Sequence, residues 1–451
     1  MSAASPSARA RLLHWAGLLT QFLSLQGLTQ LCTLLTGVLI VRALPVSEYA
    51  FYTIALTLQG TLMVLADSGA SSVLSAIGGR VCEDRVRFGQ LIRTALRFRR
   101  TLELVTLAAM APVLVVMLRK EGADWRASLG AVAMIALVLH QLVYISVLSV
   151  VPRLHAHFNR LQRIELLAAA SRLAMVALLA WWGGGFVWML AASVLSLALQ
   201  SHRLEKLAFA SVERAAEPNL DDRAELVRAF KHQVLNGLYY AFQPQITLWL
   251  ISAFGNARGI AEVGALGRLS AVFSLVTAVL GNIVVPRFAR LDSAQLLRRR
   301  YLQTVGGVVG LSLLLLSGAL LFPGAILWVL GPKYAHLRQE LALTVLLAGV
   351  NQLCNTMWLM NAARAWIWNI WVNVPLTLGL QAALVPTMEL STSRGVLLFG
   401  ICSLAPTFCV NVALTVRGLR EKTRREREAA LAPPPPAAEP SAPSLLTGTR
   451  S

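Results

Sequence analysis

Two arginines interrupt long apolar runs of the sequence at positions where a charge is costly. Arg172 lies about eight to ten residues from either end of its run, and Arg268 lies about eight residues inside another. In an α-helix that rises 1.5 Å per residue, Arg172 would be roughly 12 to 15 Å from water, which is too deep for full snorkelling. A charge at that depth in a bilayer costs about 2.5 to 3.5 kcal/mol or more, so both side chains must face a cavity or the protein interior. They are candidates for binding an anionic group.

Amides and hydroxyls recur at helical spacing in three other apolar runs. Residues spaced three and four apart share one face of a helix, so each set predicts a polar stripe. The positions are Gln26 and Gln30; Gln233, Asn236, Tyr240 and Gln243; and Asn351 and Asn355. Pro244 predicts a bend in the second of these helices. Two interpretations stay open: hydrogen bonds between helices, or three polar walls of a central water-filled cleft that forms a substrate pathway.

Two titratable residues could serve a transport cycle, and a third could have a structural role. Asp67 stands in "LADSGAS" and is either a helix cap or a residue of an ion-coupling pathway. His140 could take up a proton, or could simply be packed and hydrogen-bonded. Glu165 is a possible structural partner for Arg172, seven residues further along the chain.

Sequence signatures of catalysis are missing. We find no Walker loop, zinc-ligand spacing, serine elbow or GxGxxG motif, and the five cysteines form no CxxC pair. We therefore expect no catalytic residue, metal site or cofactor, and the chain is not expected to be an enzyme or an ATP-driven pump.

These residues lie in twelve apolar runs, each about long enough to cross a hydrocarbon core of roughly 30 Å. Backbone groups in lipid must bond within their own segment, so the runs predict an all-α membrane protein of about 12 transmembrane helices. The runs are 12–41, 50–67, 102–118, 129–151, 164–182, 186–200, 230–254, 260–285, 305–330, 341–360, 365–385 and 396–416.

The placement of the basic residues predicts the orientation. The net charge is +19, and if the first run starts inside, the inner segments hold 30 Lys and Arg residues against eight in the outer loops. The positive-inside rule then places both termini in the cytoplasm. Since the excess follows this rule, we expect anionic membrane lipids, and no nucleic acid, as its neighbours.

The chain divides into two halves of six runs each. We predict an N-lobe at 1–203, a cytoplasmic linker at 204–229, a C-lobe at 230–417, and a basic, then Pro-rich and disordered, cytoplasmic tail at 418–451. "SEYAFYTIALTL" and "AEVGALGRLSAV" begin 214 residues apart, as in a repeat whose copies share one orientation. The segment 84–100, "DRVRFGQLIRTALRFRR", is either an interfacial helix or a solvated lead-in to the third run.

Several stretches resemble one family of transporters. They are "LLTGVLIVRALPVSEYAFYTIALTL", "LADSGASSVLS", "QPQITLWLISAFG", "AEVGALGRLSAVFSL", "VVPRFARL" and "LWVLGPKY". Together they look like a polysaccharide flippase of the Wzx-like branch of the multidrug/oligosaccharidyl-lipid/polysaccharide exporter superfamily. Pro45 and Ala50 depart from the glycines of that pattern. The pattern residues matched here are Arg42, Glu48, Asp67, Glu262 and Pro286, and we also count Arg42 in the substrate pathway.

The resemblance implies flipping of an undecaprenyl-pyrophosphate-linked oligosaccharide across the bacterial inner membrane, for O-antigen, exopolysaccharide or another surface polysaccharide. Alternating access of two rigid lobes would drive it, and polysaccharide polymerase or assembly proteins would be partners. Two alternatives remain: a small-molecule, multidrug-type exporter of the same superfamily, or a membrane glycosyltransferase or polymerase.

Overall fold

The computed structural model describes residues 8–67, 70–214, 216–291, 293–367 and 372–431, and every regular element within these ranges is helical. Within these ranges, eight helices are long and apolar enough to span a membrane, or nine if one pair bent by 43° forms a single span. Three predicted runs remain. The runs 186–200 and 365–385 coincide with the helices Phe186–Phe209 and Asn373–Leu384. The run 230–254 coincides with a helix that is broken in the middle, into Leu220–Phe242 and Ile246–Phe254. The prediction of an all-α, multi-pass membrane protein is confirmed.

The first half places six predicted runs on long helices. Its helices are α1 (Ala8–Ala43), α2 (Val46–Asp67), α3 (Ala70–Val81), α4 (Arg85–Lys120), α5 (Trp125–Leu148), α6 (Val150–Leu154), α7 (Phe158–Trp181) and α8 (Phe186–Phe209). Segment 84–100 is helical from Arg85, as one of the two interpretations expected, but it is not a separate helix, because α4 continues into the third run. Asp84 caps this helix by accepting hydrogen bonds from the backbone N–H groups of Val86 and Arg87, at 2.9 and 3.0 Å.

The second half is more broken. Its helices are α9 (Leu220–Phe242), α10 (Ile246–Phe254), α11 (Ala257–Leu269), α12 (Val272–Val279), α13 (Val285–Ala289), α14 (Ala294–Leu321), α15 (Pro323–Leu330), α16 (Arg338–Ala363), α17 (Asn373–Leu384), α18 (Ser393–Ser403) and α19 (Ala405–Leu431). A 3-10 turn at Gln243–Gln245 separates α9 from α10, where Pro244 predicted a bend. The predicted run 305–330 is also interrupted, because Pro323 begins a new helix.

The segment between the halves is shorter than predicted and is held against α4. Helices α8 and α9 occupy much of 204–229, and Arg93 Nη2 donates to the carbonyl of Arg214 at 2.7 Å. A Cβ atom on Gly89 would lie 2.5 Å from the carbonyl oxygen of Glu213, so this contact requires glycine. The connection is therefore part of the first half rather than a free linker.

The basic part of the C-terminal tail is helical. Helix α19 continues through the basic residues to Leu431. Glu residues four positions from Arg or Lys form ion pairs along it, as between Arg417 and Glu421 at 3.0 Å. The Pro-rich part of the tail lies outside the described residues.

Equivalent contacts recur in the two halves. The carboxylate of Glu48, on α2, accepts a hydrogen bond from the backbone N–H of Phe186, the first residue of α8, at 2.9 Å. Glu262 lies 214 residues later on α11, and its carboxylate accepts from Oγ of Ser393, the first residue of α18, at 2.5 Å. In each half, a glutamate of the second span (α2 or α11) thus accepts a hydrogen bond from the first residue of the sixth span (α8 or α18). This agrees with the predicted repeat.

The two halves pack closely where α2 meets α11. A Cβ atom added to Gly264 of α11 would lie 2.5 Å from Oγ1 and 2.6 Å from Cγ2 of Thr53 on α2. Thr53 itself is buried and bonded to the carbonyl of Tyr49 at 2.9 Å, so it cannot move aside freely. The absence of a side chain at Gly264 sets the distance between the halves.

We expect Gly264→Ala to destabilise the folded protein by about 1 to 3 kcal/mol, because the new methyl group overpacks the contact of α2 with α11. Gly267→Ala is the matched control, since a Cβ there meets no atom within 4 Å and alanine favours the helix. Thermal unfolding of both variants in detergent checks this. Equal melting temperatures for the two variants would contradict the packing argument.

A cationic cleft between the two halves

Two cavities lie side by side in the middle of the bundle. The first has a volume of about 440 Å³ and is lined by α1, α2, α5, α7 and α8. The second, of about 580 Å³, is lined by α2, the 3-10 turn, α10, α11, α16 and α18. Leu56, Gln59 and Arg268 line both. We call the two cavities together the cleft.

Both predicted arginines reach the cleft. Nη2 of Arg172, on α7, donates to the hydroxyl of Tyr52 at 3.1 Å, and Nε of Arg268, on α11, donates to the hydroxyl of Tyr49 at 3.3 Å. The guanidinium of Arg268 also lies 5.8 Å from the ring centre of Tyr52. Arg268, from the second half, thus joins Arg172 in the wall of the first cavity.

Neither arginine has a carboxylate partner among the described residues. Their neighbours on α2, Tyr49 and Tyr52, are buried and present hydroxyl groups and rings. Nε of Arg172 is buried and has no hydrogen-bond acceptor among the residues that the structure describes. A buried guanidinium donor without an acceptor is costly, so this wall is suited to an anionic ligand.

Sequence analysis missed the two tyrosines, although a signal was available. Tyr49 and Tyr52 are three residues apart on one helix, and both follow the turn that starts α2. Their aromatic character gave no reason to prefer them over ordinary packing residues. Their role depends on the arginines of α7 and α11, which are distant in the sequence.

The predicted polar stripes line the cleft in part. Gln26 and Gln30 line the first cavity, and Gln243 and Asn351 line the second. Asn355 instead donates to Oγ1 of Thr277 at 3.4 Å, as a hydrogen bond between helices. The side chains of Gln233, Asn236 and Tyr240 lie outside the described residues.

Glu165 also lines the first cavity. It was considered as a structural partner for Arg172, but the hydrogen bond of that guanidinium goes to Tyr52. Among the described residues that line the cleft, Glu165 is the one carboxylate, against two arginines.

Asp67 forms an ion pair with a buried arginine, outside the described walls of the cleft. Its carboxylate pairs with Arg99 of α4, whose side chain is 1% exposed, and accepts from Oγ of Ser71 at 2.6 Å. Arg99 also donates to the hydroxyl groups of Ser146 and Ser71. This network joins α2, α3, α4 and α5, so the structure gives Asp67 a role in packing the first half.

His140 likewise does not line the cleft. Its Nδ1 lies 3.3 Å from Oε1 of Glu103, which is buried on α4. Val138 and Leu142, on either side of it in the sequence, are the α5 residues that reach the first cavity. The imidazole therefore contributes to the contact of α4 with α5.

Arg42 lies at the end of the bundle, not in the cleft. We call the end where α1 begins and α19 ends the terminal end, and the opposite end the far end. At the far end, Nε of Arg42 donates to the carbonyl of Val329 at 2.9 Å, and its Nη2 donates to that of Trp328. The guanidinium also lies 4.9 Å from the Trp328 ring centre. It thus closes the C-terminal end of α15.

Two lysines make equivalent bonds across the halves. Nζ of Lys333 donates to the carbonyls of Leu44 and Arg42, at 2.8 and 3.1 Å, at the end of α1. Nζ of Lys120 donates to those of Ala253 and Ser252, at 2.6 and 3.1 Å, at the end of α10. Helix C-termini carry unpaired carbonyls and partial negative charge, which cations satisfy. We call Arg42, Lys120 and Lys333 the carbonyl latch, and it joins the two halves at the far end.

Solved structures share this fold. The inward-facing conformation of a multidrug resistance MATE family transporter of the MOP superfamily matches with a TM-score of 0.63 at 16% identity, over 88% of this chain and 96% of that one. A MATE structure in the straight conformation matches with a TM-score of 0.53 at 14% identity, over 90% and 95%.

A third similar structure is that of a MOP superfamily transporter from Pyrococcus furiosus, described as having a binding pocket of reverse polarity that suggests a different function. It matches with a TM-score of 0.51 at 14% identity, over 90% of this chain and 94% of that one. No family model and no curated protein matches the sequence. The chain thus has the fold of MATE-type transporters of the MOP superfamily.

We expect Asp67→Asn to lower the free energy of unfolding by about 3 kcal/mol, since it leaves the Arg99 guanidinium buried without a counter-charge. This is the lower end of the usual range, because the Asp67 side chain is 36% exposed. The double variant Asp67→Asn/Arg99→Met should recover most of the loss. Melting temperatures in detergent test this, and a double variant less stable than Asp67→Asn would overturn it.

Removing the latch should open the far end. In a cysteine-free background with Leu44→Cys, a position only 1% exposed, we expect Arg42→Gln/Lys333→Gln to raise the rate of labelling by a membrane-impermeant maleimide several-fold. Arg119→Gln is the matched control, because Arg119 donates to Ala123 within its own half at 2.9 Å. Equal labelling in the latch and control variants would show that the latch does not hold the halves together.

Proposed function

We propose that the protein is a secondary transporter that moves an amphiphile with a phosphate or pyrophosphate group across the membrane by alternating access. The carrying observation is that Arg172 and Arg268, from opposite halves, line one cavity of about 440 Å³ and have no carboxylate partner among the described residues. An undecaprenyl-pyrophosphate-linked oligosaccharide, as the sequence resemblance implies, has this chemistry.

The physics of the cleft suits such a substrate. Guanidinium groups form strong charge-assisted hydrogen bonds with phosphate oxygens, and a low-dielectric surrounding strengthens the attraction. The amides of Gln26, Gln30 and Asn351 offer donors and acceptors for sugar hydroxyls. The lipid tail could remain in the bilayer beside the helices.

The conformation supports a transport cycle. The carbonyl latch joins the two halves at the far end, and the structural similarity with TM-score 0.63 is to an inward-facing state. With the cytoplasmic termini that the basic residues predict, the substrate would enter from the cytoplasmic leaflet. A bound anion contacting Arg172 and Arg268 would join the two halves, and release would require the latch to open.

A second candidate is export of small molecules. It is favoured by the comparison with a multidrug resistance transporter of the same fold. Such a transporter of cations would need an acidic group in the cleft, and Glu165 is the described residue that provides one. The candidates therefore differ in which side chain holds the charge of the substrate.

Binding measurements on the purified protein separate these candidates. We expect a short prenyl pyrophosphate such as farnesyl pyrophosphate to bind, and Arg172→Ala and Arg268→Ala each to weaken it at least tenfold, since each removes a charge-assisted contact of about 1.5 to 3 kcal/mol. Glu165→Gln should leave this binding unchanged. Binding of ethidium that is lost in Glu165→Gln and kept in the arginine variants would support the exporter instead.

In cells, the flippase form of the proposal predicts where the lipid-linked sugar accumulates. Depletion of the protein should leave the complete lipid-linked oligosaccharide accessible only on the cytoplasmic side, and Arg172→Ala or Arg268→Ala at normal protein levels should do the same. Accumulation of a shorter glycan would instead indicate an enzyme acting earlier, and unchanged lipid-linked sugars would exclude this substrate.

A further inference from the structure

A groove separate from the cleft opens on the outer surface of the second half. It has a volume of about 510 Å³ and lies among α14, α15, α16 and α18, near the far end. Its walls are mainly leucine and alanine, and Leu320, Leu346 and Leu398 are 62%, 37% and 37% exposed. On a membrane-spanning bundle, such leucines face lipid.

Two arginines, Arg338 and Arg394, stand in this groove. Sequence analysis places eight basic residues in the far-end loops, and five of them have partners in the structure. These are Arg42, Lys120 and Lys333 of the latch, Arg119 with Ala123, and Arg258 with Glu262. The other three are Arg126, Arg338 and Arg394, which are exposed and whose side chains make no hydrogen bond or ion pair within the described part of the chain. Two of these three share one groove.

The backbone adds to the positive potential there. Arg338 is the first residue of α16 and Arg394 is the second of α18, so two helix N-termini lie beside the guanidinium groups. Helix α16 starts without a side-chain cap, whereas α18 is capped by Thr392, whose Oγ1 accepts from the N–H of Gly395 at 3.1 Å. Helix N-termini attract anions through their partial positive charge and free N–H groups. The described lining of the groove contains no acidic residue.

We propose that this groove binds an anionic phospholipid, with its phosphate between Arg338 and Arg394 and one acyl chain along the leucine wall. The charge complementarity selects an anionic headgroup, and the exposed leucines select a lipid rather than a soluble anion. With the termini in the cytoplasm, this lipid belongs to the outer leaflet. The site is separate from the cleft and does not depend on the proposed substrate.

The test is lipid binding by the full-length protein in detergent, followed by native mass spectrometry with phosphatidylglycerol or phosphatidylcholine. We expect phosphatidylglycerol to bind in preference, and Arg338→Ala/Arg394→Ala to reduce its binding at least tenfold. Arg126→Ala is the matched control, because it removes an unpartnered far-end arginine outside the groove. A second variant, Ala342→Phe, fills the groove without changing the charge and should also weaken binding.

Each outcome decides the proposal. Equal binding of the two lipids, or equal loss in the Arg126→Ala and double variants, would overturn it. Competition by inorganic phosphate as strong as by the lipid would mean a soluble anion site. Loss in the double variant with full binding in Ala342→Phe would show that the acyl chain does not lie in the groove. If the double variant fails to fold, Arg338→Gln and Arg394→Gln, tested singly, should each show a partial loss.

Discussion

Helix ends leave carbonyl groups without partners, and the arrangement of the two halves depends on how three of those ends are satisfied. Arg42, Lys120 and Lys333 each carry their charge across to the C-terminal carbonyls of the opposite half. The three side chains are exposed, so water competes for these bonds, and the partial negative charge of a helix C-terminus favours a cation there. The latch joins the two halves at one end of the bundle in this conformation.

The arginines of the cleft also need hydrogen-bond partners. Arg172 and Arg268 are half-buried in the wall of the first cavity, and the side chains to which they donate are tyrosines of α2 rather than carboxylates. A tyrosine hydroxyl accepts a hydrogen bond but leaves the positive charge uncompensated. Elsewhere in the first half, Arg99 is neutralised by Asp67. Arg99 therefore has a structural role, whereas the charges of Arg172 and Arg268 are available to a ligand.

Local hydropathy was enough to predict the twelve runs, because a helix in lipid satisfies its backbone within itself. The depth of Arg172 and Arg268 in their runs also predicted that each side chain faces a cavity or the interior, and both line one cavity. Arg42 and Asp67 show the limit of this reasoning. The partner of Arg42 is a backbone carbonyl 287 residues away, which no residue type signals. Arg99, the partner of Asp67, lies in a segment whose arginines indicated an interfacial helix or a solvated lead-in.

The latch also bears on how this sequence could change during evolution. Its cations bind the peptide groups of Leu44, Ser252, Ala253 and Val329, and these atoms are the same for almost any residue at those positions. The far-end segments that accept the bonds are therefore free to drift in sequence without loss of the latch. In relatives of this chain, the basic positions would be retained without correlated substitutions at their partners, so a contact of this kind would escape detection by covariation.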